Sequence, residues 1–281
     1  VDGVLFDRKQ ATLLRYPGGK TGGYVVPKTV TSIGAEAFAD SAQLTSVVVG
    51  DSVTNIGSGA FRWSTRLGNV RIGDNVTVLG EGAFQGCRNL TNVTVGRSVA
   101  TIKGFCFSYC PRLTSFDIPD SVTSLGIYAF EYCTGLNQIT VGGHLARISF
   151  HAFAGCTNLK GAYFQGYPPS LDSQEPVFSP DTTVYYLPEI PAWGKSFGGS
   201  PTAEWKPQLN SSDAGFGMGT NQFGFNGSWA KDKTVIVEVC EDIVNPTWSA
   251  VATNVLATGS FSFGDKEWRR YPARFYRVRS P

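Results

Sequence analysis

From about residue 30 the apolar positions of the chain recur every 23 residues. Phe38, Phe61, Phe84, Phe107, Phe130 and Phe153 keep that step, each preceded by a small residue: Ala37, Ala60, Ala83, Cys106, Ala129 and Ala152. Leu44, Leu67, Leu90, Leu113, Leu136 and Leu159 form a second column. Val47, Val70, Val93, Phe116 and Ile139 form a third, followed two positions on by Val49, Ile72, Val95, Ile118 and Val141. The L-x-x-V-x-V segment alternates apolar and polar residues, which predicts a half-buried strand. The G-x-x-A-F-x-x-C-x-x-L segment has apolar spacings of three and four, which predicts a short helical turn. One such unit cannot bury its apolar face alone. Stacked units can, each strand pairing with the next at ~4.8 Å, so the period predicts a solenoid with a parallel sheet.

The blocks SVTSLG (121–126) and GEGAFQGCRNLTNV (80–93) carry a family likeness. The unit resembles the 23-residue repeat of BspA-like leucine-rich repeat proteins, from about residue 3 to 206. That resemblance implies a mainly β fold with short helical turns: a right-handed leucine-rich repeat solenoid with a parallel sheet. It also implies an N-terminal capping hairpin and partial coil (1–27), the solenoid proper (28–171) and a C-terminal cap (172–206). Beyond residue 207 the pattern changes to NQFGFNGS, TVIVEVC, TWSAVAT, GSFSFGD and RFYRVRS, short runs separated by turn residues. These predict a small antiparallel β-sandwich-like domain over 207–281, and the segment is similar to C-terminal modules of secreted bacterial repeat proteins.

Composition narrows the function classes. Charged residues make up 16% of the 281, against a typical ~25%. The net charge of +2 predicts no nucleic-acid partner. No apolar run approaches the ~18 residues of a membrane span, so no membrane insertion is expected. The sequence starts at Val1 and its one methionine is Met218, as in a processed or trimmed chain whose signal peptide has been removed.

Several local patterns invite chemistry. YPGGKTGG (16–23) contains the Gly-Lys-Thr of a phosphate-binding loop, but that motif needs a glycine at position 14, which is Leu14, and a helix after Thr21. Gly22-Gly23 and a strand-like YVVP follow instead, so the stretch is expected to turn a hairpin over the solenoid's open end, with Lys20 facing solvent. Cys87, Cys110, Cys133 and Cys156 share a column with Ser41 and Ser64. A ladder at ~4.8 Å per step spreads the four sulfurs too far for tetrahedral zinc, and stacked side chains misplace them for disulfides. They are expected to be buried structural thiols, as is Cys106, with no metal and no cofactor. His144 and His151 have no nucleophile or carboxylate converging on them in sequence, and no catalytic residues are assigned.

Binding positions are easier to nominate. The outward strand column Val48, Arg71, Thr94, Asp117, Thr140 and Tyr163 offers a wettable face, of which Arg71, Asp117 and Tyr163 are candidate contacts. The position before the Cys column is Gly86 and Gly155 in two coils, yet Trp63, Tyr109 and Tyr132 in three. Exposed aromatics supply contact area at little entropic cost; folded back over the turns, they would extend the core instead. Arg269, Arg270, Arg274, Arg277 and Arg279 make a basic tail, expected to be a solvated strand face. BspA-like relatives are associated with adhesion to host matrix proteins and other cells. The resemblance therefore implies a non-enzymatic, monomeric, secreted or cell-surface binding protein, its partner an extracellular matrix or surface protein or a glycan. The alternatives are a structural spacer or surface-layer part, or glycan capture by the aromatics.

Overall fold

A computed structural model describes residues 2–211, 216–218 and 222–281. The chain divides into two compact units, Val1–Ala203 and Glu204–Pro281.

In the first unit every coil contributes a short and a longer strand. The short strands Thr12–Arg15, Ser32–Ile33, Asn55–Ile56, Val78–Leu79, Thr101–Ile102, Ser124–Leu125, Arg147–Ile148 and Ser170–Leu171 stack in sequence order, and Leu5–Phe6 pairs antiparallel with Thr12–Arg15 at one end. The result is a nine-stranded sheet. The longer strands pair parallel in the 23-residue register of the sequence, as in Ser46↔Asn69↔Asn92 and Val48↔Arg71↔Thr94. This second sheet is interrupted. Gly22–Val25, Leu44–Val49, Asn69–Ile72 and Asn92–Thr94 make a four-stranded sheet, and a separate six-stranded sheet begins at Ser115–Ile118. At the break the column of valines changes to Phe116, whose ring lies 4.9 Å from both Phe107 and Phe130. Val93 and Val95, on the other side of the break, are half-buried, whereas Val47, Val49, Ile139 and Val141 are fully enclosed.

The third side of each coil is not helical. In the coil from Gly126 to Leu136, the amides of Ala129, Glu131, Cys133 and Leu136 each donate to the carbonyl three residues back. The intervening amides of Tyr128, Phe130 and Tyr132 donate instead to Phe150, Ala152 and Ala154 of the next coil. Apolar spacings of three and four belong here to a ladder of β-turns, hydrogen-bonded within and between coils by alternate residues. Among the described residues the one helical segment is the 3-10 turn Trp268–Arg270, outside the repeats.

The turns bring the phenylalanines into a continuous stack. Successive rings from Phe38 to Phe153 lie 4.8, 4.9, 5.2, 5.2 and 5.2 Å apart. Tyr16 closes one end, 4.9 Å from Phe38, and Phe178 the other, 5.2 Å from Phe153. Beside the rings runs the thiol column. Sγ of Cys87, Cys110, Cys133 and Cys156 donates to the carbonyls of Phe61, Phe84, Phe107 and Phe130 at 3.0–3.3 Å. Ser64 Oγ makes the same bond to Phe38 at 2.7 Å. Serine and cysteine are interchangeable in the column because each donates to the preceding coil. Ser41 begins the column, and among the described residues its buried Oγ has no partner. All six cysteines are buried and free.

The N-terminal end corrects one expectation. The hairpin is Leu5–Phe6 with Thr12–Arg15, and its turn is tied by Asp7, whose Oδ1 accepts the amides of Ala11 and Thr12 at 2.7 and 3.1 Å. The YPGGKTGG stretch is not that turn. It is a corner of the first coil, passing the chain from the nine-stranded sheet to Gly22–Val25 in the other sheet. Lys20 is not free in solvent either: its Nζ donates to the carbonyl of Asp2 at 3.2 Å. At the other end Trp193 lies against Phe164 and Phe197 and donates from Nε1 to the Gly166 carbonyl at 3.1 Å.

The second unit is antiparallel throughout. Phe223–Ser228 pairs with Ser260–Asp265 on one side and with Gln208–Asn210 and Gly217–Met218 on the other. Thr234–Cys240 pairs with Ser249–Val255 and with Phe275–Arg279. The strands cover the five runs anticipated from sequence; Asn221, which starts the first run, lies outside the described residues. The two sheets meet through Tyr276, 4.7 Å from Phe223 and 5.8 Å from Phe263. The basic tail is paired rather than simply solvated. Arg277 and Arg279 donate from Nε to the buried Glu238 carboxylate at 2.7 and 2.9 Å, which holds that carboxyl below its ordinary range. Arg277 also lies 4.3 Å over the Trp248 ring, and Arg274 pairs with Asp265 at 3.2 Å.

Candidate functional site

The turn ladder decides where the aromatics stand. In each coil two turn positions four residues apart have a left-handed backbone. One column is Asp40, Trp63, Gly86, Tyr109, Tyr132 and Gly155, with φ from 52° to 72°. The other is Glu36, Gly59, Gly82, Phe105, Tyr128 and His151, with φ from 52° to 61°. The first explains why glycine recurs before the cysteine. A non-glycine residue in this conformation costs roughly 1–2 kcal/mol, and bulky residues rarely adopt it. Trp63, Phe105, Tyr109, Tyr128 and Tyr132 all do.

Trp63 and the two tyrosines are not equivalent. Trp63 is half-buried: its indole lies over Gly86 of the next coil, where a side chain would collide with the ring, and Arg88 sits 5.8 Å above it. This ring extends the core outward. Tyr109 and Tyr132 stack at 5.1 Å but remain 42% and 47% exposed. Tyr132 also leans on Gly155 as Trp63 does on Gly86. Partial desolvation, with Glu131 beside it, pushes the Tyr109 phenol above its ordinary range, and burial raises Glu131 likewise. The Tyr109 phenol therefore stays a neutral hydrogen-bonding group.

A second aromatic run was hidden in the sequence. Phe105 stacks on Tyr128 at 5.2 Å, and Tyr128 lies 5.4 Å from His151. The 23-residue spacing of these three residues was its only signal. His151 is thus a ring in a stack. His144 lies elsewhere on an exposed corner, its Nδ1 3.3 Å from the Asp120 carboxylate.

The structure does not bring the strand-face candidates together with the tyrosines. Arg71 and Asp117 project from the exposed face of the longer strands on opposite sides of the sheet break, while Tyr163 stacks on Tyr185 at 4.7 Å and is half-buried. The six nominated residues therefore do not converge on one site. Among the described residues, no group of three or more His, Cys, Asp and Glu is placed to hold a metal ion. Burial raises the thiols of Cys87, Cys106, Cys110 and Cys133, so they remain protonated donors rather than nucleophiles.

A family model described as a BspA type leucine rich repeat region matches residues 31–160 in six copies. Among curated proteins none matches the chain. A leucine rich cell surface protein from Faecalibacterium prausnitzii is similar at 27% identity, covering 69% of this chain and 55% of that one, with a TM-score of 0.57. A leucine-rich repeat protein from Eubacterium ventriosum gives 25% identity over 70% of this chain and 52% of the other, with a TM-score of 0.55. The T. pallidum leucine rich repeat protein, 24% identical over 65% and 81% of the two chains with a TM-score of 0.53, shares the fold. The chain matches only about half the length of the F. prausnitzii and E. ventriosum proteins. Repeat consensus and coil geometry agree with the family match: residues 31–160 are six repeats of the BspA-type leucine-rich kind.

Proposed function

We propose that this is a non-catalytic, extracellular binding protein that presents the turn face of its solenoid to a protein partner, as in adhesion. The observation that carries this reading is the Tyr109–Tyr132 pair. Two aromatic side chains are held exposed, stacked and on left-handed backbone where Gly86 and Gly155 show that glycine serves the fold. Strain kept at an exposed site points to a use for the side chain, and aromatic platforms are the common anchors of protein interfaces. Trp63, lying over Gly86 in the same column, is a further contact, and Arg71, Asp117 and Tyr163 are secondary contacts on the strand face. A surface or secreted location is supported by likeness to the F. prausnitzii protein, which is described as a cell surface protein. Among the described residues no helix is long and apolar enough to cross a membrane.

The test is an array of purified extracellular-matrix and bacterial-surface proteins probed with the full chain and with Tyr109→Gly/Tyr132→Gly. Binding by the native chain that the double variant loses supports the reading. Equal binding by the two chains defeats the assignment to the tyrosines.

A further inference from the structure

The turn face also carries a hollow that the tyrosines do not line. A groove of about 480 Å³ is walled by Glu36, Arg62, Glu81, Gln85 and Phe105, with Gly59 and Gly82 as its floor. Its origin is one column of the repeat. Glu36, Gly59, Gly82, Phe105, Tyr128 and His151 share the same left-handed backbone, so the chain runs alike in all these coils. Two successive glycines simply delete the side chain. The stack of Phe105 on Tyr128 at 5.2 Å therefore ends at the groove, with the second face of Phe105 uncovered above Gly82.

The charged groups around that bare ring are not spoken for. Among the described residues the side chains of Glu36, Arg62 and Glu81 have no ionic partner, although they converge on one space. Gln85 is anchored, donating from Nε2 to Ser108 Oγ at 3.1 Å, and keeps its carbonyl oxygen for another donor.

We infer that the groove binds a neutral oligosaccharide. Carboxylates accept from hydroxyls, a guanidinium donates to them, and a carboxamide oxygen accepts one more. A ligand that donates and accepts at adjacent atoms satisfies all of these at once, and vicinal hydroxyls do so. Phe105 offers an apolar face for the C–H side of a pyranose ring. An anionic ligand would meet Glu36 and Glu81, and a polycationic one would meet Arg62. The volume lies within the ~300–1,000 Å³ of ligand sites, and the side open to solvent allows a chain to extend along the coils. This site is separate from the tyrosine platform, and either stands without the other.

The test uses the full ¹⁵N-labelled chain titrated with cellohexaose, chitohexaose and maltohexaose, with hexalysine and inorganic phosphate as contrasting probes. A neutral hexasaccharide is expected to shift the amide resonances of Gly59, Gly82 and Gln85. Gly82→Phe places in the hollow the residue that Phe105 already is in the same column, and an added Cβ there meets only Gln85 atoms at ordinary distance. That variant should abolish the shifts. Glu36→Gln/Glu81→Gln should weaken binding by ~10-fold or more, because two charge-assisted acceptors become weaker neutral ones, and it keeps the groove's shape if Gly82→Phe misfolds. Tyr109→Gly/Tyr132→Gly should bind the sugar like the native chain. Failure of all three sugars to shift these amides overturns the inference. So would shifts with hexalysine or phosphate alone, or undiminished sugar binding by the Gln variant.

Discussion

At the scale of single residues, the thiol column shows what the fold asks of a side chain. Cys110 is buried and donates to the Phe84 carbonyl at 3.3 Å, the bond that Ser64 makes one coil-pair earlier. Cys110→Ser should therefore stay close to the native chain, whereas Cys110→Val, similar in size but unable to donate, should lose ~0.5–1.5 kcal/mol, since the Phe84 carbonyl then keeps only the Cys87 amide as its donor. Urea unfolding of the two variants checks this. The same thiols make stability depend on pH. Burial raises the thiols of Cys87, Cys106, Cys110 and Cys133, so the fold holds their protons more tightly than the unfolded chain does. Stability from this source is complete below the ordinary thiol pKa of ~8.5 and falls as pH rises above it, by ~1.4 kcal/mol per pH unit per thiol. Replacing the four by serine should flatten the alkaline limb of a stability–pH curve; an unchanged limb would show that other groups set it. The Ser-for-Cys alternation at 41 and 64 was legible in the sequence as a requirement for a small inward residue. The donated hydrogen bond was not, because it depends on which carbonyl of the preceding coil faces the column.

At the scale of elements, the row of longer strands was legible, the row of short strands was not anticipated, and the turn row was misjudged. Alternation in L-x-x-V-x-V maps onto the longer strands because a strand with one buried face needs period two. Spacings of three and four are common to a helix and to consecutive β-turns, and only the hydrogen bonds of Tyr128, Phe130 and Tyr132 to the next coil distinguish them. The aromatics concealed the left-handed backbone, since glycine marks those positions in only some of the coils. The sheet break between Asn92–Thr94 and Ser115–Ile118 had no sequence signal beyond Phe116 in a valine column. Strand edges that lack a sheet partner exchange amide protons through small openings. Hydrogen exchange at Ser115–Ile118 should accordingly run faster than at Asn69–Ile72, which is paired on both sides. Equal protection would mean that the sheet is continuous in solution. The phenylalanine stack is the opposite case: Phe107→Ala should cost ~3–5 kcal/mol, since its ring touches both stacked neighbours and Phe116.

At the scale of the whole molecule, repetition separates what the fold needs from what it tolerates. Columns that hold the coils together keep one residue type, as the phenylalanines and leucines do. The two left-handed turn columns do not; they carry glycine, acid or aromatic ring on the same backbone. That freedom is where a solenoid can write a binding surface, and the sequence exposed part of it as the departure of Trp63, Tyr109 and Tyr132 from glycine. Which of the three stays exposed required the structure, because Gly86 lets the larger indole lie down. The turn face is thus the surface proposed to engage the partner. The most direct test is amide hydrogen exchange of the full chain with and without a protein captured from the array. Protection centred on Tyr109 and on Glu131–Tyr132 is the predicted result; protection confined to residues 204–281, or to the nine-stranded sheet, would contradict it.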